Sequence, residues 1–132
     1  MHSLLFIASE AIPFCKTGGL GDVAASLPAA LVDQGYDVRV LLPGYPTALE
    51  KARSGVSFEL CQMELGGHSL RLIEAVLPGS KVCHWLIDCP ALFDRPGNPY
   101  LDESGQPWPD NHHRFALLCR VGVELAMDRA GL

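Results

Sequence analysis

Ser3-Leu4-Leu5-Phe6-Ile7-Ala8-Ser9, then Lys16-Thr17-Gly18-Gly19-Leu20-Gly21-Asp22, then Val23, Leu27, Ala30 and Leu31, is the stretch that decides the fold. The first run is apolar without alternation. That pattern predicts a strand buried on both faces, as in a parallel sheet. The glycine-rich run predicts a loop. The apolar residues after it recur at helical spacing, so a helix follows. Pro28 falls inside that helix and is expected to bend it rather than end it. Gly35 supplies a C-terminal cap, and Val38 to Leu42 reads as a second short strand. Strand, loop, helix, turn, strand is a βαβ unit.

Outward from this unit, Pro43-Gly44-Tyr45-Pro46 has turn chemistry. Val56 to Leu65 and Ser69 to Leu77 flank Gly66-Gly67 and predict a hairpin. Val82 to Ile87 predicts a third core strand, with Asp88 at its end. Cys89 to Asp110 is rich in proline and reads as one long loop. Phe115, Leu118, Cys119, Gly122, Val123 and Ala126 predict a second long helix ending near Gly131. The fold class is α/β: Rossmann-like, mainly parallel, with an inserted β-hairpin. Three buried strands with two clear helices leave such a sheet under-covered, so residues 1–132 are expected to form only part of an N-terminal domain.

Composition narrows the function. The chain has 132 residues, 48% hydrophobic and 19% charged, which suits a globular core. The net charge of −5 argues against nucleic acid held by bulk charge. No apolar run reaches the ~20 residues of a membrane helix, and the N-terminus lacks a charged region before its apolar stretch, so no signal peptide is expected. Cys15, Cys61, Cys83, Cys89 and Cys119 form no Cys-x-x-Cys pair, which fits a reducing, cytoplasmic setting. The adjacent His112 and His113 point about 100° apart on a helix, and no metal site is expected.

The loop before the helix carries the strongest chemical signal. Helix N-termini present unpaired N–H groups and partial positive charge. Gly18, Gly19 and Gly21 permit close backbone approach, and Lys16 adds a full charge, so a phosphate cradle is one reading. A plain strand-to-helix turn is an equally open one. The spacing fits neither a P-loop nor a strict Gly-x-Gly-x-x-Gly fingerprint. Other residues leave similar pairs of readings. Asp88 could bind a hydroxyl or cap a turn, Cys15 could be reactive or a buried filler, and Trp108 could stack on a sugar or pack beneath its loop. Trp85 is expected in the core.

Ser9-Glu10, Lys16 to Val23, Leu27-Pro28, Val38 to Pro43, Asp94-Arg95-Pro96-Gly97-Asn98-Pro99-Tyr100, Asn111 and Arg114-Phe115 together resemble the N-terminus of the bacterial glycogen synthase and plant starch synthase family. The resemblance covers essentially the whole chain. It implies a two-domain, B-type, retaining glucosyltransferase that moves glucose from ADP-glucose to the non-reducing end of an α-1,4-glucan. It implies no cofactor and no metal. Lys16, Gly18 and Gly19 match the donor-binding loop, and Asp22 matches an aspartate linked to nucleotide binding, physically easier as a helix cap or hydroxyl partner than as a phosphate contact. Glu10 and Tyr100 match positions linked to activity and substrate contact on the glucan side. Phe93 stands where the family commonly has Tyr. The family's His-x-His-Asp-Trp-His segment and its second domain, with the Arg and Lys that hold the diphosphate, have no counterpart in these residues, so the chain alone is expected to be inactive. A non-catalytic nucleotide-sugar-binding or interaction module is the alternative.

Overall fold

The predicted βαβ unit forms: β1 (Ser3–Ile7), α1 (Gly19–Asp33) and β2 (Asp37–Pro43), with β1 and β2 parallel and Ile7 opposite Leu41. The computed structural model describes residues 2–132. It continues through α2 (Pro46–Ala52), β3 (Val56–Leu65), β4 (His68–Val76), β5 (Cys83–Asp88), α3 (Pro90–Phe93) and α4 (Asn111–Ala126). One sheet holds the five strands in the order β1-β2-β5-β4-β3. β5 lies parallel to β2, β4 is antiparallel to β5, and β3 is antiparallel to β4. Four of the five strands therefore run one way, and the hairpin extends the sheet rather than standing apart from it.

The core lies where β2 and β5 meet. Val40, Leu41, Leu42, Leu86 and Ile87 are wholly buried, as the continuous apolar runs require. α1 covers the face carrying Val40 and His84. α4 covers the opposite face, where Gly122 approaches Ile7 and Leu41. No helix among the described residues is long and apolar enough to cross a membrane.

Several expectations need correction. β1 is an edge strand, not one buried on both faces: Leu4 and Ile7 are 36% and 44% exposed. The helix α1 runs through Pro28 as expected, but it buries Gly21, Ala24 and Pro28, while Val23 and Leu27 face outward with Leu20. Small residues let the helix sit close to the sheet, so the bulky stripe is left outside. In α4 the buried face is Arg114, Leu117, Leu118, Val121 and Gly122, whereas Cys119 and Val123 are exposed. That helix ends at Ala126, short of Gly131. The long loop contains the short α3, and α2 follows directly on the predicted turn, with Pro46 at its first position. Trp85 is half-buried, its indole N–H bonded to Glu74 at 3.1 Å. Asp88 does not cap the following α3; its Oδ2 pairs with Arg71 Nε at 2.6 Å.

Gly44 locks the carboxyl ends of β2 and β5 together. Its N–H donates to Ile87 O at 2.8 Å, and a Cβ there would lie 2.6 Å from the same oxygen. Gly44→Ala is therefore expected to cost about 1–3 kcal/mol through forced backbone displacement. A urea titration checks this, and an unchanged midpoint would show that the two strand ends are not tightly held.

Candidate functional site

The carboxyl ends of the parallel strands gather the candidate residues. β1 leads into Ser9 and Glu10, and β2 into Tyr45. The Tyr45 hydroxyl donates to Ser9 O at 2.6 Å, fixing the exit of β1 against that of β2. Ligands in open α/β sheets bind at this edge.

Glu10 is the centre of the arrangement. It is 1% exposed and lies behind the glycine loop. Its Oε1 accepts the backbone N–H of Gly18 at 3.1 Å and of Gly21 at 3.0 Å. Its Oε2 accepts the Thr17 hydroxyl and, at 2.9 Å, the Tyr100 hydroxyl. Four donors thus converge on one carboxylate. Burial pushes its pKa up, but the hydrogen bonds from Thr17, Tyr100, Gly18 and Gly21 outweigh burial, and the net shift is downward. The acid is held ionised, with its oxygens fully engaged.

The loop so held leaves other groups free. Gly18 is the N-cap of α1 and has no side chain to close the helix end. The N–H groups of Gly19 and Leu20 have no hydrogen-bond partner among the described residues. Lys16, Gly18, Gly19 and Asp22 are all exposed. Asp22 does not cap the helix; it lies in the first turn and pairs with Lys16 Nζ at 2.9 Å. Cys15 sits behind Lys16, and burial, with the Glu10 charge, pushes its thiol up to about 11. A thiol raised in this way stays protonated near neutral pH, which fits a half-buried filler.

Tyr100 arrives from the far end of the chain. Its hydroxyl lies 2.7 Å from Ser9 Oγ as well as bonding Glu10. Burial, and to a lesser degree Glu10, raise its pKa, so it remains a neutral donor. Asn98 Oδ1 accepts the N–H of Tyr100 and Leu101 at 2.8 and 2.7 Å, and Asn111 Nδ2 donates to Tyr100 O at 2.9 Å. Gly97 has φ +91, and a Cβ there would fall 2.6 Å from Leu101 O, which only glycine tolerates.

Sequence reasoning gave no role to Arg114, Thr17, Ser9 or Tyr45. Arg114 is 1% exposed on α4, donating from Nε to Leu92 O at 2.6 Å and from Nη1 to Pro99 O and Asn111 Oδ1 at 2.8 Å. It stands between Phe93 and Phe115, its guanidinium carbon 5.6 and 5.4 Å from their ring centroids. Its sequence signal was an arginine on the same face as Leu117 and Leu118. Trp108 is half-buried with Arg95 stacked on it at 5.0 Å, so that ring face is occupied.

The starch synthase catalytic domain family matches residues 3–131. A protein called glycogen synthase 1 from Methylococcus capsulatus is 53% identical over 129 residues, which are 98% of this chain and 26% of that protein. A glycogen synthase from Marinobacter nauticus is 50% identical over 133 residues, covering 100% of this chain and 27% of that protein. Among solved structures, the catalytic domain of starch synthase IV from Arabidopsis thaliana, bound to ADP and acarbose, superposes with a TM-score of 0.73 at 26% identity. That likeness covers 97% of this chain and 25% of the other. The chain thus spans about a quarter of the length of the relatives it matches.

Glu10→Gln replaces one acceptor oxygen with an NH2 group facing donors. It is expected to lower stability by about 2–3 kcal/mol, the scale of hydrogen bonds to a charged group. The depressed pKa fixes the pH dependence. The native chain keeps this contribution above the unfolded Glu value of about 4.3 and loses it as pH falls through the lower folded value. Thermal melts of both forms from neutral to acid pH check this; parallel curves would show that Glu10 does not carry the effect.

Proposed function

The chain belongs to the family of starch synthase catalytic domains, and on that premise we propose that it forms the donor-side wall of a retaining glucosyltransferase. The reaction moves glucose from ADP-glucose to the non-reducing end of an α-1,4-glucan. The observation that carries this reading is the loop built on Glu10. Its inner N–H groups are spent on the carboxylate, while those of Gly19 and Leu20 are left for a ligand. Those two groups, the α1 N-terminus and Lys16 suit a diphosphate.

Lys16 and Asp22 work as a pair in this proposal. Their ion pair is exposed on both sides, and such pairs are worth about 0–1 kcal/mol. An arriving diphosphate can take Lys16 at little cost, and Asp22 keeps the ammonium near the loop until then. Glu10 is a positioning residue, because its oxygens are already engaged. Tyr100 is the better candidate for a substrate contact through its half-exposed ring, its hydroxyl being shared between Glu10 and Ser9.

Transfer with retention needs the leaving diphosphate neutralised as the glycosidic bond breaks. One helix end and one lysine are half of such an arrangement. The opposing charges belong to a second domain outside residues 1–132. Two features support a larger body: the outward stripe of Leu20, Val23 and Leu27 on α1, and the unpaired edge of β1 with Leu4 and Ile7 exposed. The remainder of a longer chain covers them. Five free cysteines suit a cytoplasmic setting for the whole.

Two outcomes are expected. Purified residues 1–132 produce no glucosyl transfer from ADP-glucose to glycogen in a radiolabel assay; measurable transfer would overturn the one-wall reading. In the full-length enzyme, Lys16→Ala lowers kcat/KM for ADP-glucose by about 2–3 kcal/mol, roughly 30- to 150-fold. Unchanged kinetics would confine Lys16 to its pair with Asp22.

A further inference from the structure

Behind the glycine loop lies a small cavity of 180 Å³ between the start of α2, the Arg95 to Pro99 segment and α4. Cys15 is the nearest part of the loop that reaches it; Lys16 to Asp22 do not line it. At this size it lies below the ~300 Å³ of a site for a drug-sized ligand. Two guanidinium groups, Arg95 and Arg114, are in its wall with Asn98, Thr47 and Tyr45, and no carboxylate lines it.

The charge balance there is unequal. Asp110 bonds Arg95 through both oxygens, at 2.5 and 2.6 Å, and satisfies that cation. Arg114 has no carboxylate of its own: its bonded partners are two backbone carbonyls and an amide oxygen. Its Nη2 takes part in none of these bonds. Burial lowers the Arg114 pKa, and the nearby Arg95 lowers it further. Among the groups in the cavity wall and bonded to it, two guanidinium groups and Asp110 sum to +1; the Glu10 carboxylate does not line the cavity but acts on Cys15 and Tyr45 in its wall. Buried charges are ordinarily paired; among the described residues no carboxylate is hydrogen-bonded to Arg114, and Asp110 acts on it only through space.

We propose that this cavity binds a small oxyanion of the phosphate class, held by Arg114 from below and Arg95 from the side. The free Nη2 of Arg114 supplies an N–H donor of the kind guanidinium groups use for oxyanions. Thr47, exposed and with no side-chain hydrogen bond among the described residues, offers a hydroxyl at the rim. The site is separate from the donor loop, but Arg114 also holds Pro99 O, next to Tyr100. An occupant would therefore brace the segment that delivers Tyr100 to Glu10. The proposal does not depend on the transferase reading.

The test is an NMR titration of the chain with inorganic phosphate at constant ionic strength, following the Nε–H signals of Arg114 and Arg95. A saturable shift with a millimolar Kd is expected, with no response to chloride at matched ionic strength. Arg95→Gln removes a cation, leaves Asp110 without its bidentate partner and lowers the local charge by one. It is expected to weaken phosphate at least tenfold. Arg114→Lys is expected to do the same, and Arg95→Gln decides the matter if the lysine form does not fold. A hexose phosphate in a parallel titration separates the sources: tighter binding than inorganic phosphate assigns the cavity to a phosphate ester, and equal or weaker binding to the free ion. No saturable shift, or unchanged affinity in Arg95→Gln, would overturn the proposal.

Discussion

The rest of the site depends on one buried carboxylate. Glu10 leaves β1 at the end of the sheet and meets four donors, two from backbone and two from side chains. A buried carboxylate without donors would be prohibitively unfavourable. Here the cost of burial is offset by geometry the fold already provides. The N-terminus of α1 turns two of its N–H groups inward and leaves two outward. The same charge that closes the loop from behind thus prepares its front for an anion.

Glu10 also joins distant parts of the chain. Tyr100 is separated from it by ninety positions, yet bonds the same oxygen as Thr17. Tyr100 is held in turn by Asn98, by Asn111 and, through the adjacent Pro99, by Arg114. A buried acid on one side and a buried base on the other therefore frame the segment from Asp94 to Tyr100. They do not pair with each other. Each organises backbone of the proline-rich loop.

Much of this was legible in the sequence, for identifiable reasons. Continuous apolar runs gave the three parallel strands, and the two adjacent glycines gave the hairpin. The glycine loop was readable because few residue types suit a helix start that faces a ligand. Helix faces were misread where periodicity held two answers. In α1 the large residues Leu20, Val23 and Leu27 lie outside, and Gly21, Ala24 and Pro28 lie against the sheet. Counting apolar residues favours the bulky stripe, but close packing selects the small one. Arg114 was given no role of its own because the carbonyls that hold a buried cation depend on where distant backbone falls, and spacing carries no record of that. Likewise, Glu10 could be tied to the site by resemblance, but only the folded chain brings its four donors together.

The most direct measurement is native-state hydrogen exchange at the Gly18 and Gly21 amides, comparing the native chain with Tyr100→Phe. The two amides donate to one oxygen of the Glu10 carboxylate and the phenol to the other. If Glu10 is the joint that holds the loop, removing one of its donors loosens it, and both amides should exchange about tenfold faster or more, the scale of one hydrogen bond to a charged group. Unchanged exchange at both positions, with the rest of the sheet equally protected, would contradict the claim that Tyr100 and the glycine loop are coupled through Glu10.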